Sequence, residues 1–151
     1  MKLIMSAIEL AIMWIVIPIL LFGGAPFSSP VAITVIASVI IAGSLLLSVY
    51  SALVVFYWSG RLPTTSFGPE TTVQSGPYRF VRHPFNAGFI LFLFGMGFLC
   101  GDYWRVLYVS VIGALAVIYS LLQEYLTSKR VTGYSEYKEK LPFMIPKAGK
   151  Q

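Results

Sequence analysis

The stretch SGPYRFVRHPFNAG, residues 75–88, gathers Arg79, Arg82, two prolines and His83, the chain's single histidine, at the start of an apolar run. A second polar group, Gln123-Glu124, closes the next apolar run, and a mixed tail, GYSEYKEKLPFMIP, occupies 133–146. The types suggest recognition of a dipolar small molecule. A helix beginning at Pro84 presents N–H groups and a positive partial charge, which attract anions. Arg79, Arg82 and His83 are spaced i, i+3, i+4 and would share one side if that helix starts early. A helix ending near Glu124 offers carbonyls, a negative dipole end and a carboxylate, which suit a cation. A ligand with a carboxylate beside ammonium and sulfonium groups matches this polarity, as S-adenosylmethionine does, and on charge alone so do other zwitterions. Cys100 is the single cysteine, so no disulfide and no multi-cysteine metal site can form within the chain.

Elements must bring these groups to one level. The 151 residues are 57% hydrophobic and 11% charged, far below the roughly 25% charge of a soluble domain. No charged residue lies between Glu9 and Arg61 or between Arg105 and Glu124, and His83 alone is titratable from Arg82 to Asp102 apart from Cys100. A membrane-crossing helix needs about 20 predominantly apolar residues. The expected fold is therefore all-α: one polytopic transmembrane domain over 1–151, with four spans at about 3–22, 31–57, 85–100 and 104–122. The third is short. The apolar stretch 3–22 is longer than a signal-peptide core and reads as a span. Between spans two and three lies a loop, 59–84, and after span four a tail, 123–151.

Charge sets the orientation. Lys2 precedes the first span, Arg61, Arg79 and Arg82 lie in the 59–84 loop, and six basic residues follow the fourth span. The connection at 23–30 is uncharged and the 101–105 turn holds only Asp102 and Arg105. Basic residues collect on the cytoplasmic side, so both termini, the loop and the tail are expected there. The net charge of +5 then reflects topology and attraction to anionic headgroups. No basic stripe or motif indicates nucleic acid as a partner. Glu9 lies two turns from the cytoplasmic end of its span and is expected to reach the headgroups. Tyr50, Tyr57, Trp58, Tyr103 and Trp104 read as interfacial belt residues.

Gly76-Pro77-Tyr78 and Arg82-His83-Pro84, with QEYL at 123–126 and the 133–146 tail, resemble the signature of the isoprenylcysteine carboxyl methyltransferase and phospholipid methyltransferase superfamily of integral membrane enzymes. The resemblance covers roughly 60–146. It implies S-adenosylmethionine as cofactor and a membrane lipid or lipidated substrate as acceptor. Gly76, Pro77 and Tyr78 would shape the loop beside the cofactor. Arg82, His83 and Pro84 would hold its methionine moiety, Gly88 would admit it and Glu124 would anchor its polar end. Tyr134, Tyr137 and Pro142 would form a closing flap. Arg82 and Glu124 would also be the catalytic pair, one orienting a carboxylate acceptor, the other removing a proton from an amine. The chain departs from the family pattern at Asn86, where members usually carry tyrosine, at Gln123, where many carry a second glutamate, and at Arg130-Val131, which replaces Phe-Gly. Similar arginine-histidine-proline and tail motifs also occur in longer sterol-reductase-like membrane enzymes that use NADPH, and a protein that has lost activity would keep the same scaffold.

Overall fold

The computed structural model describes residues 2–60, 63, 73–129, 131 and 133–146. Most of the 59–78 polar stretch, including Arg61, and the end of the tail from Lys147 lie outside these residues.

The first rod is built from α1 (Lys2–Ala11), a π-helical turn (Ile12–Val16) and α2 (Ile17–Phe22). Pro18 explains the π-turn. A proline inside a helix lacks the N–H and its ring clashes with a carbonyl one turn back, and a widened turn accommodates both without breaking the rod. Then come α3 (Val31–Ser59), a 3₁₀ turn (Gly76–Arg79), α4 (Pro84–Cys100), α5 (Tyr103–Ser128) and a short α6 (Tyr134–Lys140). Among the described residues there is no strand. Three rods are long and apolar enough to cross a bilayer: Ile4–Phe22, Val31–Ser59 and Tyr103–Ser128. The fourth apolar helix, α4, has 17 residues. At 1.5 Å per residue it is about 26 Å long, short of a ~30 Å hydrocarbon core.

Being short costs α4 little because its neighbours shield it. It buries Phe85, Phe89, Leu93 and Cys100, and Trp14 of the first rod lies against Phe85, Phe89 and Phe92. The outer faces are apolar instead: Leu20, Leu46 and Tyr57 are 78%, 72% and 83% exposed. Only a hydrocarbon surrounding makes that arrangement stable. This is an integral membrane protein.

Helices in lipid gain little from hydrophobic burial and associate by close packing of small residues. On α3 the buried line is Ala37, Ser44, Ser48, Ser51 and Val55. It meets Gly88 and Gly95 of α4. A Cβ on Gly88 would come within 2.1 Å of Ser48 Oγ and 3.0 Å of the Ser44 carbonyl oxygen, and one on Gly95 within 2.6 Å of Ile41. Gly88 is therefore a contact glycine for α3. Gly113 of α5 has more room, its nearest neighbour standing at 3.6 Å.

The end of the bundle away from His83 is stapled by hydrogen bonds to carbonyls in the last turns of the helices. Ser28 donates to the Cys100 carbonyl at 2.7 Å and Ser29 to that of Phe98. Asp102 caps α5 by accepting from the Trp104 amide at 3.0 Å and pairs with Arg105 at 2.7 Å. Arg105 also donates to the Leu21 carbonyl at 3.3 Å, tying α5 to the end of the first rod.

Gly88→Ala should lower the melting temperature in detergent, because overpacking costs about 1–3 kcal/mol. Gly113→Ala, whose new methyl meets only ordinary contacts, should match or exceed the parent. Equal melting of the two variants would contradict the asymmetry.

Candidate functional site

At the other end the polar groups converge on one carboxylate. Glu124 is 1% exposed and sits within α5, which continues to Ser128, past the expected end of the span near 122. Its Oε1 lies 3.0 Å from His83 Nε2 and 3.1 Å from Arg82 Nη1, and its Oε2 accepts from Arg82 at 3.2 Å. Lys138 of α6 stands 3.4 Å from Oε2. Three elements thus meet at a buried acid: the approach to α4, the last turns of α5 and the tail helix. Ser128 and Lys129, its sequence neighbours, turn to Tyr125 instead, by a hydrogen bond to its carbonyl and by a cation–π contact at 4.1 Å.

Local chemistry explains how Arg82 and His83 arrive there. A residue before proline is pushed out of the helical region, and His83 adopts φ −126°, ψ 58° ahead of Pro84. Helical phase is consequently lost between Arg79 and Pro84. Arg79 ends the 3₁₀ turn and is exposed, so the expected i, i+3, i+4 alignment of Arg79 with Arg82 and His83 does not form. The amides that precede α4 are taken up by the tail. Arg82 N–H donates to the Pro142 and Phe143 carbonyls at 3.0 and 3.2 Å, and His83 N–H to the Phe143 carbonyl at 3.1 Å. The Phe143 ring lies edge-on to His83 at 5.0 Å and beneath the Arg82 guanidinium at 5.6 Å.

The 76–78 loop and the tail form a second layer. Gly76 takes φ +56°, and a Cβ there would fall 2.9 Å from Val54 and 3.2 Å from the Tyr50 hydroxyl. Both the left-handed backbone and the close approach to α3 require glycine. Pro77 is the second residue of the 3₁₀ turn that buries Tyr78. The Tyr137 hydroxyl donates to the carbonyls of Tyr78 and Val73 at 3.3 and 3.5 Å, and its ring lies 5.7 Å from that of Tyr134. Burial pushes the Tyr137 phenol up to about 12, with Arg82 opposing and Glu124 reinforcing the rise. The Tyr134 and Tyr78 phenols are raised further still, again chiefly by burial.

Of the residues singled out from sequence, Arg82, His83, Pro84, Glu124, Tyr134, Tyr137 and Pro142 come together here, with Gly76, Pro77 and Tyr78 forming the adjoining layer. Gly88 and Arg79 do not join them. Lys138 and Phe143 were not anticipated. Lys138 lies one helical turn beyond Tyr134, and that spacing could have indicated it. Asn86, in the usual tyrosine position, is buried and donates to Ser120 Oγ at 2.7 Å, so the departure has its own partner on α5. Glu9 does not simply reach outward, since the Tyr119 hydroxyl donates to it.

Residues 31–130, about two-thirds of the chain, match the model of the isoprenylcysteine carboxyl methyltransferase family. The chain belongs to that family. Comparison with curated proteins and with solved structures finds no match. The match to the isoprenylcysteine carboxyl methyltransferase family takes in α3, α4 and α5 with Arg82, His83 and Glu124, and stops short of α6.

Removing one member of a buried ion pair strands the other, at about 3–5 kcal/mol, whereas apolar replacement of both can be nearly neutral. Glu124→Leu and Arg82→Met should each lower thermal stability strongly, and the double variant should lose much less than their sum. Additive losses would mean that the two groups are not energetically coupled. A phenol with a raised folded-state value contributes stability that is complete below its unfolded value near 10 and lost as pH rises toward the folded one. Limited proteolysis should therefore show the tail released between pH 10 and about 12, with no change from pH 6 to 9. Tyr137→Phe should weaken that alkaline transition.

Proposed function

We propose that the protein transfers a methyl group from S-adenosylmethionine to a lipophilic acceptor, a prenylated cysteine carboxylate or a phospholipid amine, at the cytoplasmic membrane interface. The observation that carries this reading is the meeting of Arg82, His83 and Glu124 at one end of the bundle, beneath a tail strapped across them. Basic residues support the orientation. Arg79, Arg82, Lys129, Lys138 and Lys140 belong to the segments at that end, while Arg105 at the other end is neutralised by Asp102. In this reading α4 is a fourth span and both termini are cytoplasmic.

The residues fit the cofactor's polar end. Arg82 Nε is buried without a hydrogen-bond partner, an orphan donor in a cluster where Arg82 and Lys138 outnumber the one carboxylate. Such a group is costly unless something accepts from it, and a ligand carboxylate would. Glu124 suits the ammonium of the same ligand. Arg82, His83 and Glu124 would hold the amino-acid end, with Tyr134, Tyr137 and the Pro142 strand covering it. When bound, S-adenosylmethionine supplies an electrophilic methyl carbon on sulfonium sulfur. The chain's own contribution is alignment and exclusion of water. The tail provides the exclusion, and the apolar faces between helices let a lipid approach sideways. A carboxylate acceptor needs no base and gains orientation from Arg82. An amine acceptor must lose a proton, and Glu124 is the carboxylate placed to take it.

Titration calorimetry in detergent tests the assignment. S-adenosylhomocysteine should bind the parent protein, NADP should not, and His83→Ala and Glu124→Gln should each abolish binding. Undiminished affinity in both variants would remove these residues from the site.

A further inference from the structure

The carboxylate of Glu124 is fully subscribed. A carboxylate offers about four lone-pair positions. Here Oε1 faces His83 and Arg82, and Oε2 faces Arg82 and Lys138. A ligand ammonium can reach Glu124 only by displacing one of the three. Arg82 and His83 are poorly suited to leave. Their side chains are 9% and 11% exposed, and their amides are bound to the Pro142 and Phe143 carbonyls. Lys138 differs in every respect. Its contact is the longest at 3.4 Å, its side chain is 52% exposed, and it rides on a helix of seven residues. Its ammonium can return to water without stranding a buried charge, because the incoming ammonium replaces it on Oε2.

Resting on the cofactor assignment above, we propose that Lys138 is an internal competitor for the cation seat on Glu124, making α6 a self-inhibiting latch that the ligand's ammonium must open. In the ligand-free protein the latch is closed, the tail is held over Arg82 and His83, and the buried carboxylate keeps its charge balance. Loading exchanges one ammonium for another at Oε2 and frees α6 at that point. The apparent affinity for an ammonium-bearing ligand is lowered by the fraction of molecules in the latched state. A ligand without an ammonium does not contest the seat.

Lys138→Met keeps the apolar stem and removes the charge, and Lys138→Arg keeps the charge. Calorimetry with S-adenosylhomocysteine should give Lys138→Met a dissociation constant about fivefold lower than the parent, as expected when a competing closed population is removed. Lys138→Arg should stay near the parent value. 5′-Methylthioadenosine, which lacks the amino-acid end, should bind the parent and Lys138→Met equally. Hydrogen exchange in the ligand-free protein should be faster over residues 134–143 in Lys138→Met. If S-adenosylhomocysteine binds the parent but Lys138→Met binds it equally or more weakly, the latch is wrong and the cofactor site stands. Equal tightening for 5′-methylthioadenosine would make the effect one of general access and overturn competition for the seat. If neither the parent nor Lys138→Met binds S-adenosylhomocysteine, the cofactor assignment itself fails and the competition fails with it, whereas unchanged exchange over 134–143 would by itself refute the clasp.

Discussion

A single carboxylate, buried where it has almost no water, governs the organisation of this protein. Glu124 cannot keep its charge at 1% exposure without cations held against it. Arg82 and His83 can be held there only if the chain leaves helical geometry before Pro84 and α4 starts abreast of the final turns of α5. Lys138 can arrive only if the chain reverses after α5, at Gly133 with φ +82°, and lays α6 back across the same end. The folding of three segments is thereby coupled through one group, and any ligand that addresses it must negotiate with all three.

The remainder of the bundle makes that convergence rigid. The α3 and α4 helices touch through glycine, alanine and serine, an approach that larger side chains would prevent. At the far end serine hydroxyls and Arg105 occupy helix-end carbonyls, and Asp102 fixes the turn between α4 and α5. A short connection stapled this way fixes the register of the two helices. Register there sets register at Glu124, because α4 and α5 run antiparallel from the turn. The π-turn in the first rod serves the same end by letting a proline-containing helix remain a continuous neighbour of α4.

Membership of the isoprenylcysteine carboxyl methyltransferase family rests on residues 31–130, which hold the acid and its two buried partners. The tail lies beyond that match, yet it supplies the strap over Arg82 and His83, the tyrosine hydroxyl that pins the 73–78 loop, and a third cation. The division has a physical logic. Arg82, His83 and Glu124 are buried and must satisfy one another, whereas Lys138 on the tail is half-exposed and shares its charge with water.

From the sequence alone three long apolar helices, a shorter one starting at Pro84, and the common level of Arg82, His83 and Glu124 could be read. Long uncharged runs leave few places for polar residues, and the turn at 101–105 forces two of those places together. The faces of the helices could not be read in the same way. Along α3 and α4 apolar residues lie on every side, and lipid is as apolar as the core, so no amphipathic stripe distinguishes the buried face. That Gly88 meets Ser48, that Asn86 finds Ser120, and that Arg79 falls out of line were decided by tertiary packing. So was the arrival of Lys138, since the direction of a short polar segment after a turn depends on what it docks against. Sequence determined which residues are polar in a hydrocarbon setting and at which level they must lie; rotation about each helix axis, worth about 100° per residue, belonged to the tertiary structure because only contact between neighbouring surfaces carries that information.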